Sequence, residues 1–341
     1  CPYPIIAVTG TNGKTTVVKL LEHCLNSAGY TTKTLGNVGE PLTEIINYEK
    51  LDFAIVEVSS FQLEAVYKFK PYIGVLLNID EDHLDRHKTM QNYINLKIGL
   101  FKNCDSHCYA VINNQQEILD NFDNNTVNKI IVNKDCYINN EEVVYQDEVL
   151  CKVDEINDFT FMDNVLSTIS VLKIIGLDNK KILLGLNTFL GLEHRLEYVD
   201  TINNNIFYND SKATNPHSTI NAVRKLNQYN NITLLLGGQD KDFDFSKMID
   251  NLPDNVKNIV CFGKCRKKIL HSIKNKTMAH IQPDLKSAVI YANSITHDGV
   301  ILLSPACASF DEFSGFEQRG TYFKQIVASL KNNESVKGVV C

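Results

Sequence analysis

Near its start the chain reads Ile5-Ile6-Ala7-Val8-Thr9-Gly10-Thr11-Asn12-Gly13-Lys14-Thr15-Thr16, and apolar residues recur at helical spacing directly after it. This order predicts a strand, a glycine turn and a helix. In such a turn the backbone N–H groups and the helix N-terminus point at one anion. A lysine adds positive charge there, and a threonine hydroxyl can hold Mg²⁺. The stretch therefore predicts a phosphate-binding loop that uses Lys14 and Thr15.

The match to the usual phosphate-loop pattern is imperfect. That pattern has a glycine five residues before Gly13, where this chain has Val8. An ordinary turn between a strand and a helix is the alternative, but the lysine and threonine stand where a nucleotide loop needs them. We therefore expect a nucleotide loop.

Composition limits the class of protein. The 341 residues are 44% hydrophobic and 22% charged, which is typical of a soluble globular enzyme of two domains. The net charge of −6 does not favour nucleic acid, and no apolar run is long enough to cross a membrane. Ten scattered cysteines suit a reducing cytoplasm better than a disulfide framework. Their two Cys-x₃-Cys pairs, at 104/108 and 261/265, lack the usual spacing of a structural zinc site.

The order of apolar runs predicts an α/β fold. Continuous apolar strands at 53–58 and 73–77 indicate a mostly parallel sheet with helices on both faces. Residues 129–160 read as a small antiparallel patch, and a new strand-helix series begins near residue 206. We therefore expect a central phosphate-loop ATPase domain over residues 1–190 and a Rossmann-like α/β domain over 191–341.

Polar residues follow the strands of the first domain. Glu57 ends one strand and is a candidate Mg²⁺ ligand, although it could also be a solvated carboxylate. The charged segment 78–87 follows the next strand and offers His83 as a ligand, unless it is an ordinary charged loop. His83 and His87 have the spacing of a zinc protease, but the required glutamate after the first histidine is Leu84.

Three polar segments, at 209–215, 237–241 and 304–313, follow strands of the second domain. We expect their ends to converge on one sheet edge. A substrate that carries a carboxylate would suit Lys212, Lys241, Thr214 and Ser309. The alternative is that Asp210, Ser211 and Thr214 are helix caps.

Taken together, these motifs resemble the Mur ligases of peptidoglycan synthesis, and within them the branch that adds D-glutamate. The resemblance covers nearly the whole chain. It is carried by the segments 9–15, 36–39, 57–63, 78–87, 192–195, 210–215, 237–241 and 304–319.

The resemblance implies a reaction and a role for each motif residue. ATP would phosphorylate the carboxylate of UDP-N-acetylmuramoyl-L-alanine, and the amine of D-glutamate would attack the acyl phosphate. The implied catalytic residues are Lys14, His83, Lys97, Arg195 and Lys212. ATP would contact Gly10, Thr11, Asn12, Gly13, Lys14, Thr15, Thr16, Asn164, Arg195, Asp210 and Lys212. The UDP-substrate would contact Asn37, Gly39, Ser59 and His194, and D-glutamate would contact Thr214, Lys241, Ser309 and Phe316.

The family resemblance also implies two Mg²⁺ ions. Thr15 and Glu57 would hold one ion and His83 the second. Lys97 matches a lysine that such ligases carbamylate with CO₂, which turns a cation into a carboxylate-like metal ligand. The expected partners are the small-molecule substrates alone, and the expected state is a monomer.

Two departures from the family pattern limit these expectations. The family motif His-Asn-x-x-Asn reads Asp163-Asn164-Val165-Leu166-Ser167, so only Asn164 remains of the adenine-side contacts. The N-terminal domain that holds uridine in such ligases is expected to be missing. Two alternatives therefore stay open: another Mur or folylpolyglutamate-type ligase, and a degenerate nucleotide-binding paralogue without activity.

Overall fold

A computed structural model of the chain describes residues 1–157, 161–240, 243–274 and 278–337. The fold divides into two compact units, Cys1–Gly191 and Leu192–Cys341, called unit 1 and unit 2 here.

Unit 1 is built on one sheet, which has nine strands within the described residues. The strands are β1 (Ile5–Thr9), β2 (Thr32–Gly36), β3 (Phe53–Glu57), β4 (Ile73–Leu76), β5 (Tyr109–Asn113), β6 (Asn128–Val132), β7 (Cys136–Asn139), β8 (Glu142–Tyr145) and β9 (Glu148–Lys152). Their order is β2-β3-β1-β4-β5-β6-β7-β8-β9. The six strands β1 to β6 are parallel to one another. The phosphate loop therefore follows a strand that lies between β3 and β4, the strands that precede the other polar segments.

The helices of unit 1 cover the apolar strands. They are α1 (Lys14–Ser27), α2 (Ser60–Leu63), α3 (Leu84–His87), α4 (Met90–Ile98), α5 (Gln116–Leu119), α6 (Met162–Ile175) and α7 (Asn179–Thr188). Helix α1 buries a continuous apolar face that includes Val17, Leu21 and Leu25. Helix α4 buries Tyr93, Ile94 and Lys97, so a lysine is carried into the interior on the face that packs inward.

The structure changes two details of the first domain. The antiparallel patch is formed by β7, β8 and β9 alone, because β6 pairs in parallel with β5 and extends the main sheet. The sequence predicts a helix from Phe61 to Tyr67, but this helix, α2, ends at Leu63. Beyond it the chain turns, and the amide of Asn103 holds the carbonyl oxygens of Tyr67 and Phe69.

Unit 2 has a second sheet, of six strands in the described ranges. The strands are β10 (Glu197–Ile202), β11 (Asn205–Asn209), β12 (Ile232–Gly237), β13 (Val256–Phe262), β14 (Ala279–Ile281) and β15 (Val300–Leu303), in the order β10-β11-β15-β12-β13-β14. Only β10 runs antiparallel to its neighbour. Because β11, β15 and β12 are adjacent and parallel, the three polar segments that follow them meet at one sheet edge.

The helices of unit 2 are α8 (Pro216–Lys225), α9 (Phe245–Asp250), α10 (Arg266–Ser272), α11 (Leu285–Ile295) and α12 (Phe316–Lys337). The sequence predicts a final helix from Gly320, but the last helix begins four residues earlier, at Phe316. This earlier start places Arg319 inside the first helical turns, where its side chain is buried. Within the described residues, no helix is both long and apolar enough to cross a membrane.

Candidate active site

The phosphate loop connects β1 to α1 and takes a conformation that requires glycine. Gly10 and Gly13 have φ angles of 152° and 86°, which side chains rarely adopt. A Cβ on Gly13 would lie 2.3 Å from Oδ1 of Asn164. Asn164, which the sequence assigned to ATP, thus lies against the loop, and Gly13 is the residue that allows this approach.

The segment after β4 holds the loop in place. The backbone N–H groups of Thr11 and Asn12 donate to the carbonyl oxygen and to Oδ1 of Asn78, at 2.9 and 2.8 Å. The Thr11 hydroxyl is 3.1 Å from the Tyr93 hydroxyl and accepts a bond from the Asp80 N–H. The loop is therefore preorganised by two neighbouring elements of its own unit.

Lys14, the first residue of α1, directs its ammonium into this loop. Its Nζ donates to the carbonyl oxygens of Gly10 and Thr11, at 2.8 and 2.9 Å. A cation is thus held at the helix N-terminus, where an anionic phosphate is favoured. Thr15 and Thr16 follow on the same first turn.

Lys97 is one of the most deeply buried cations of unit 1. Its side chain lies on α4, its residue is 1% exposed, and its Nζ donates to the Gly10 carbonyl at 2.8 Å. The Tyr93 ring lies under the same Nζ, 4.6 Å from the ring centroid. Burial, reinforced by the charge of Lys14, lowers the pKa of Lys97 well below its usual value, against the attraction of Asp82 and Glu57. The Lys97 side chain therefore lies against the phosphate loop.

Glu57 ends β3 and is 3% exposed. Its Oε1 accepts a bond from the Asn37 side-chain amide at 2.8 Å. Its Oε2 is buried and has no hydrogen-bond partner among the described residues. Buried carboxylate oxygens are rarely left without a partner, so this atom is suited to a cation. Asn37, which the sequence assigned to the UDP-substrate, thus also orients Glu57.

The two histidines of the charged segment lie in different environments. His83 precedes α3 in a left-handed conformation, with φ of 54°, and its ring packs edge-on against Phe61 at 4.9 Å. His87 is buried, with Nε2 3.0 Å from the Ser60 hydroxyl, and its ring stacks on the same Phe61. Because His83 lies before the helix and Phe61 contacts both rings, the two histidines do not form the face of a zinc-protease helix.

No group of three or more His, Cys, Asp or Glu side chains that could hold a metal occurs in the described part of the chain. The oxygen donors of Thr15 and Glu57 suit Mg²⁺. An ammonium cannot ligate a cation, so Lys97 fits a metal site only after a modification such as a carbamate.

Two other residues assigned to the UDP-substrate have local structural roles. Gly39 has φ of 76°, and a Cβ there would lie 2.9 Å from the Thr34 carbonyl oxygen. The Ser59 hydroxyl caps α2 by accepting from the Gln62 N–H at 3.3 Å, and the Gln62 side chain bonds back to Ser59. Both roles shape the turns beside Glu57.

Asp163, which stands where the family motif has histidine, forms hydrogen bonds with two neighbouring segments of unit 1. Its two carboxylate oxygens accept bonds from the side-chain amides of Asn113 and Asn133, at 3.1 and 3.2 Å. The Ser167 hydroxyl donates to the Asp163 carbonyl oxygen at 2.7 Å. Asp163 thus ties the start of α6 to the ends of β5 and β6.

In unit 2, Asp210 lies directly after β11 and is buried. Its Oδ2 accepts from the Ser304 hydroxyl at 2.7 Å, and its Oδ1 accepts from the Leu196 N–H at 3.1 Å. Burial raises the pKa of Asp210 to about 7, although these bonds and the charges of Arg195 and Arg319 oppose the shift. Asp210 therefore joins three segments of unit 2.

Arg319 is fully buried and holds the same region from α12. Its guanidinium donates to the hydroxyl and carbonyl oxygens of Ser211 at 3.0 and 2.8 Å. It also donates to the carbonyl oxygens of Cys307 and Ala308, at 3.1 and 3.3 Å. Arg319 thus links the segment after β11 to the segment after β15.

His194 lies inside unit 2, where Gly320 leaves room for its ring. A Cβ on Gly320 would lie 2.3 Å from Nδ1 of His194, and the Asn209 amide is 2.9 Å from the same atom. Burial lowers the pKa of His194. The Lys212 N–H donates to the His194 carbonyl, and the Lys212 ammonium lies 3.8 Å from the centroid of the Phe316 ring. The structure thus brings Lys212, His194 and Phe316 together.

Of the residues assigned to D-glutamate, Ser309 is buried, Thr214 and Phe316 are half-buried, and Lys241 lies outside the described residues. The capping alternative is wrong for Asp210, Ser211 and Thr214. The cap of α8 is Asn215, whose Oδ1 accepts from the Ser218 N–H at 2.9 Å. Proline at the first position of the helix sets this boundary.

The sequence assigned no role to three residues that organise these sites. Tyr93 and Asn78 support the phosphate loop, and Arg319 supports the loops of unit 2. The sequence contained a signal for Asn78, because this residue is the first polar one after a buried strand. Arg319 had no signal beyond the 304–319 motif that contains it, and Tyr93 had none.

Comparison with known proteins decides the family. The Mur ligase middle domain matches residues 8–179, and the Mur ligase glutamate ligase domain matches residues 194–307. The chain belongs to the Mur ligase family. It is 34% identical to the UDP-N-acetylmuramoylalanine--D-glutamate ligase of Geotalea uraniireducens (strain Rf4), over 96% of this chain and 75% of that protein. It is 37% identical to the enzyme of that name from Geobacillus sp. (strain WCH70), with the same coverage.

Two solved structures share the fold of this chain. MurF ligase from Thermotoga maritima, in complex with ADP, has a TM-score of 0.76 and 14% identity, covering 96% of this chain and 80% of that one. A bifunctional folylpolyglutamate synthase/dihydrofolate synthase from Yersinia pestis CO92 has a TM-score of 0.75 and 17% identity, covering 96% and 89%. These likenesses confirm the predicted α/β fold.

Proposed function

We propose that this Mur ligase is an ATP-dependent amide ligase that joins D-glutamate to UDP-N-acetylmuramoyl-L-alanine through an acyl-phosphate intermediate. The class of reaction, a ligation in peptidoglycan synthesis, follows from family membership and the names of the curated relatives. The observation that best supports enzymatic activity is the cluster of Lys14, Lys97 and Glu57 at the phosphate loop.

Unit 1 would bind ATP. The N–H groups of the loop and the Lys14 ammonium would hold the phosphates, with Asn164 beside the loop. Thr15 and Glu57 would hold one Mg²⁺ and His83 a second, and bound Mg²⁺ would neutralise charge on the phosphates. Asn37 would orient Glu57 through its side-chain amide. The UDP-substrate would contact Asn37, Gly39, Ser59 and His194.

Unit 2 would bind the amino acid. Thr214, Lys241, Ser309 and Phe316 are assigned to D-glutamate, and Arg195, Asp210 and Lys212 to the nucleotide. The position of Lys212 over the Phe316 ring fixes a cation beside the proposed D-glutamate residues. The proposed location is the cytoplasm, where ATP and reduced thiols are found, and the proposed state is a monomer.

An amino-acid panel tests the substrate. ADP release is measured with UDP-N-acetylmuramoyl-L-alanine and, in turn, D-glutamate, L-glutamate, D-alanine and meso-diaminopimelate. We expect turnover with D-glutamate alone. Comparable turnover with another amino acid would favour a different ligase of the family, and no turnover with any of them would favour the inactive paralogue.

The carbamate on Lys97 has its own test. Its support is geometric, because Lys97 is buried against the loop carbonyl with Glu57 nearby, where a carboxylate-like group would serve a cation better than an ammonium. Lys97→Ala should lose most activity and regain part of it with acetate. Labelling with ¹³CO₂ should give one carbamate signal that this variant lacks; an active enzyme without that signal would contradict the carbamate.

A further inference from the structure

Two cysteines of unit 2 face each other in the interior. The Sγ atoms of Cys265 and Cys307 lie 3.1 Å apart, and both residues are buried. Cys265 stands just before α10, and Cys307 lies in the segment after β15. Because the two cysteines are 42 positions apart in the sequence, the fold, and not the local sequence, creates this pair.

The backbone around both thiols is fixed. The Cys265 N–H donates to the Gly238 carbonyl at 3.0 Å, and the Cys307 carbonyl accepts two bonds from Arg319. The Lys264 N–H donates to Asp311 at 2.9 Å, which joins the same two segments a second time. The sulfurs are therefore held together by hydrogen bonds on both sides of the pair.

We propose that Cys265 and Cys307 are a modification site, a dithiol that a hydroperoxide oxidises to an intramolecular disulfide. The bond needs the sulfurs to approach by about 1 Å, to the usual S–S separation. Cys265 is the more accessible of the two residues, because it is 4% exposed and Cys307 is 0% exposed. This site lies outside the ligation chemistry proposed above.

The chemistry balances in two steps. The Cys265 sulfur attacks one oxygen of the hydroperoxide, the O–O bond breaks, and an alcohol or water leaves while the sulfur is oxidised to a sulfenic acid. The Cys307 sulfur then attacks the Cys265 sulfur, the S–O bond breaks, and water leaves with the thiol proton. The Cys307 thiol also lowers the pKa of Cys265 by hydrogen bonding, which favours the first step.

The disulfide would act on the segment that carries Ser309. That residue follows Cys307 by two positions, and the Ala308 backbone pairs with Gln239 on the neighbouring segment. A shift of about 1 Å in such a segment can lower a rate by up to about 10²-fold. The disulfide should therefore lower kcat/KM for D-glutamate, a consequence that rests on the proposed function.

The test treats the full chain with a small excess of hydrogen peroxide. The intact mass should fall by about 2 Da, two fewer thiols should be alkylated under denaturing conditions, and digestion should yield a linked peptide of Cys265 with Cys307. A dithiol reductant should reverse all three changes. Cys265→Ser should keep its basal activity and show none of them.

The control is Cys104→Ser, in the Cys-x₃-Cys pair of unit 1, which should still form the Cys265–Cys307 link. Free thiols after treatment, or a link between other cysteines, would overturn the proposal. Because the mass and peptide measurements need no turnover, they are independent of the ligase assignment. A linked but kinetically unchanged enzyme would contradict the effect on D-glutamate.

Discussion

Lys97 in unit 1 and Arg319 in unit 2 are both buried cations beside loops that follow a strand, but their surroundings differ. Arg319 donates to four protein oxygens, those of Ser211, Cys307 and Ala308. Lys97 donates to the Gly10 carbonyl, which also accepts from Lys14. Arg319 is satisfied by its own unit, whereas the Lys97 ammonium would gain a partner from a bound phosphate, and the carbamate proposed on Lys97 would gain one from a cation.

This difference distinguishes a residue that supports the fold, Arg319, from a residue of a candidate ligand site, Lys97. A buried charge that is fully hydrogen-bonded stabilises the loops around it, whereas its removal leaves their oxygens without partners. A buried charge with few partners adds little to stability, so its presence points to function. The contrast predicts that stability and activity respond in opposite ways to substitutions in the two units.

The largest effect is expected for Lys97→Met. The proposed metal ligand is lost, so kcat should fall by a factor on the order of 10³. The free energy of unfolding should stay the same or increase, because a buried amine is replaced by an apolar chain and Gly10 keeps its bond from Lys14. ADP release and urea unfolding measure the two effects.

The exposed Lys102, just beyond the same helix, provides the control, since Lys102→Met should change neither quantity. If Lys97→Met destabilised unit 1 by several kcal/mol, Lys97 would be a scaffold residue like Arg319.

Arg319→Met should reverse this pattern. Loss of the guanidinium leaves buried carbonyl oxygens without these donors, which costs about 1–3 kcal/mol for each oxygen left unsatisfied. Urea unfolding of unit 2 should report this loss. Lys324→Met is the matched control on α12, because Lys324 forms more exposed ion pairs with Glu193 and Glu197 and should cost under about 1 kcal/mol. Equal losses of unfolding free energy in Arg319→Met and Lys324→Met would mean that Arg319 does not support the fold more than an exposed lysine does.

Glu57→Gln tests the buried oxygen that has no partner among the described residues. The change keeps the size of the side chain and removes its charge, so the Mg²⁺ concentration for half-maximal activity should rise at least about 10-fold. Titration of ADP release with Mg²⁺ measures this. Glu64→Gln is the control, since Glu64 pairs with Arg86. An unchanged Mg²⁺ requirement would place the metal elsewhere.

Asp210 should make the stability of unit 2 depend on pH. Its pKa is about 7 in the folded chain and about 4 when unfolded, so the folded state binds the extra proton between these values. Stability should therefore fall as pH rises from 4 to 7, by at most about 1.4 kcal/mol per pH unit. Thermal unfolding at pH 5, 6 and 7 should show a shallower slope for Asp210→Asn; identical slopes would contradict the raised pKa.

The smallest effect is expected at Asn215, the cap of α8. Asn215→Ala removes the bond to the Ser218 N–H and should cost about 1 kcal/mol of unfolding free energy. The neighbouring Thr214→Ala should cost less, because Thr214 does not cap the helix. Chemical denaturation compares the two, and a larger loss at Thr214 would mean that Thr214 has a structural role.

The sequence by itself determined the phosphate loop, the mostly parallel sheet and the family. These features rest on short patterns, namely a glycine turn between a strand and a helix, continuous apolar runs and ordered motifs. Such patterns act over a few residues and leave little freedom to the backbone.

Only the tertiary structure decided which polar residues support loops and which remain available to ligands. Asp210 follows an apolar strand in the sequence, and Lys97 lies on the helix α4. Their hydrogen-bond partners, Ser304 and Gly10, are 94 and 87 residues away. The order of strands in each sheet brings such residues together, and the local sequence does not encode that order. The Asn37–Glu57 bond arises in the same way, from the neighbouring strands β2 and β3, and the Cys265–Cys307 contact from segments that follow β13 and β15, two strands that lie on either side of β12.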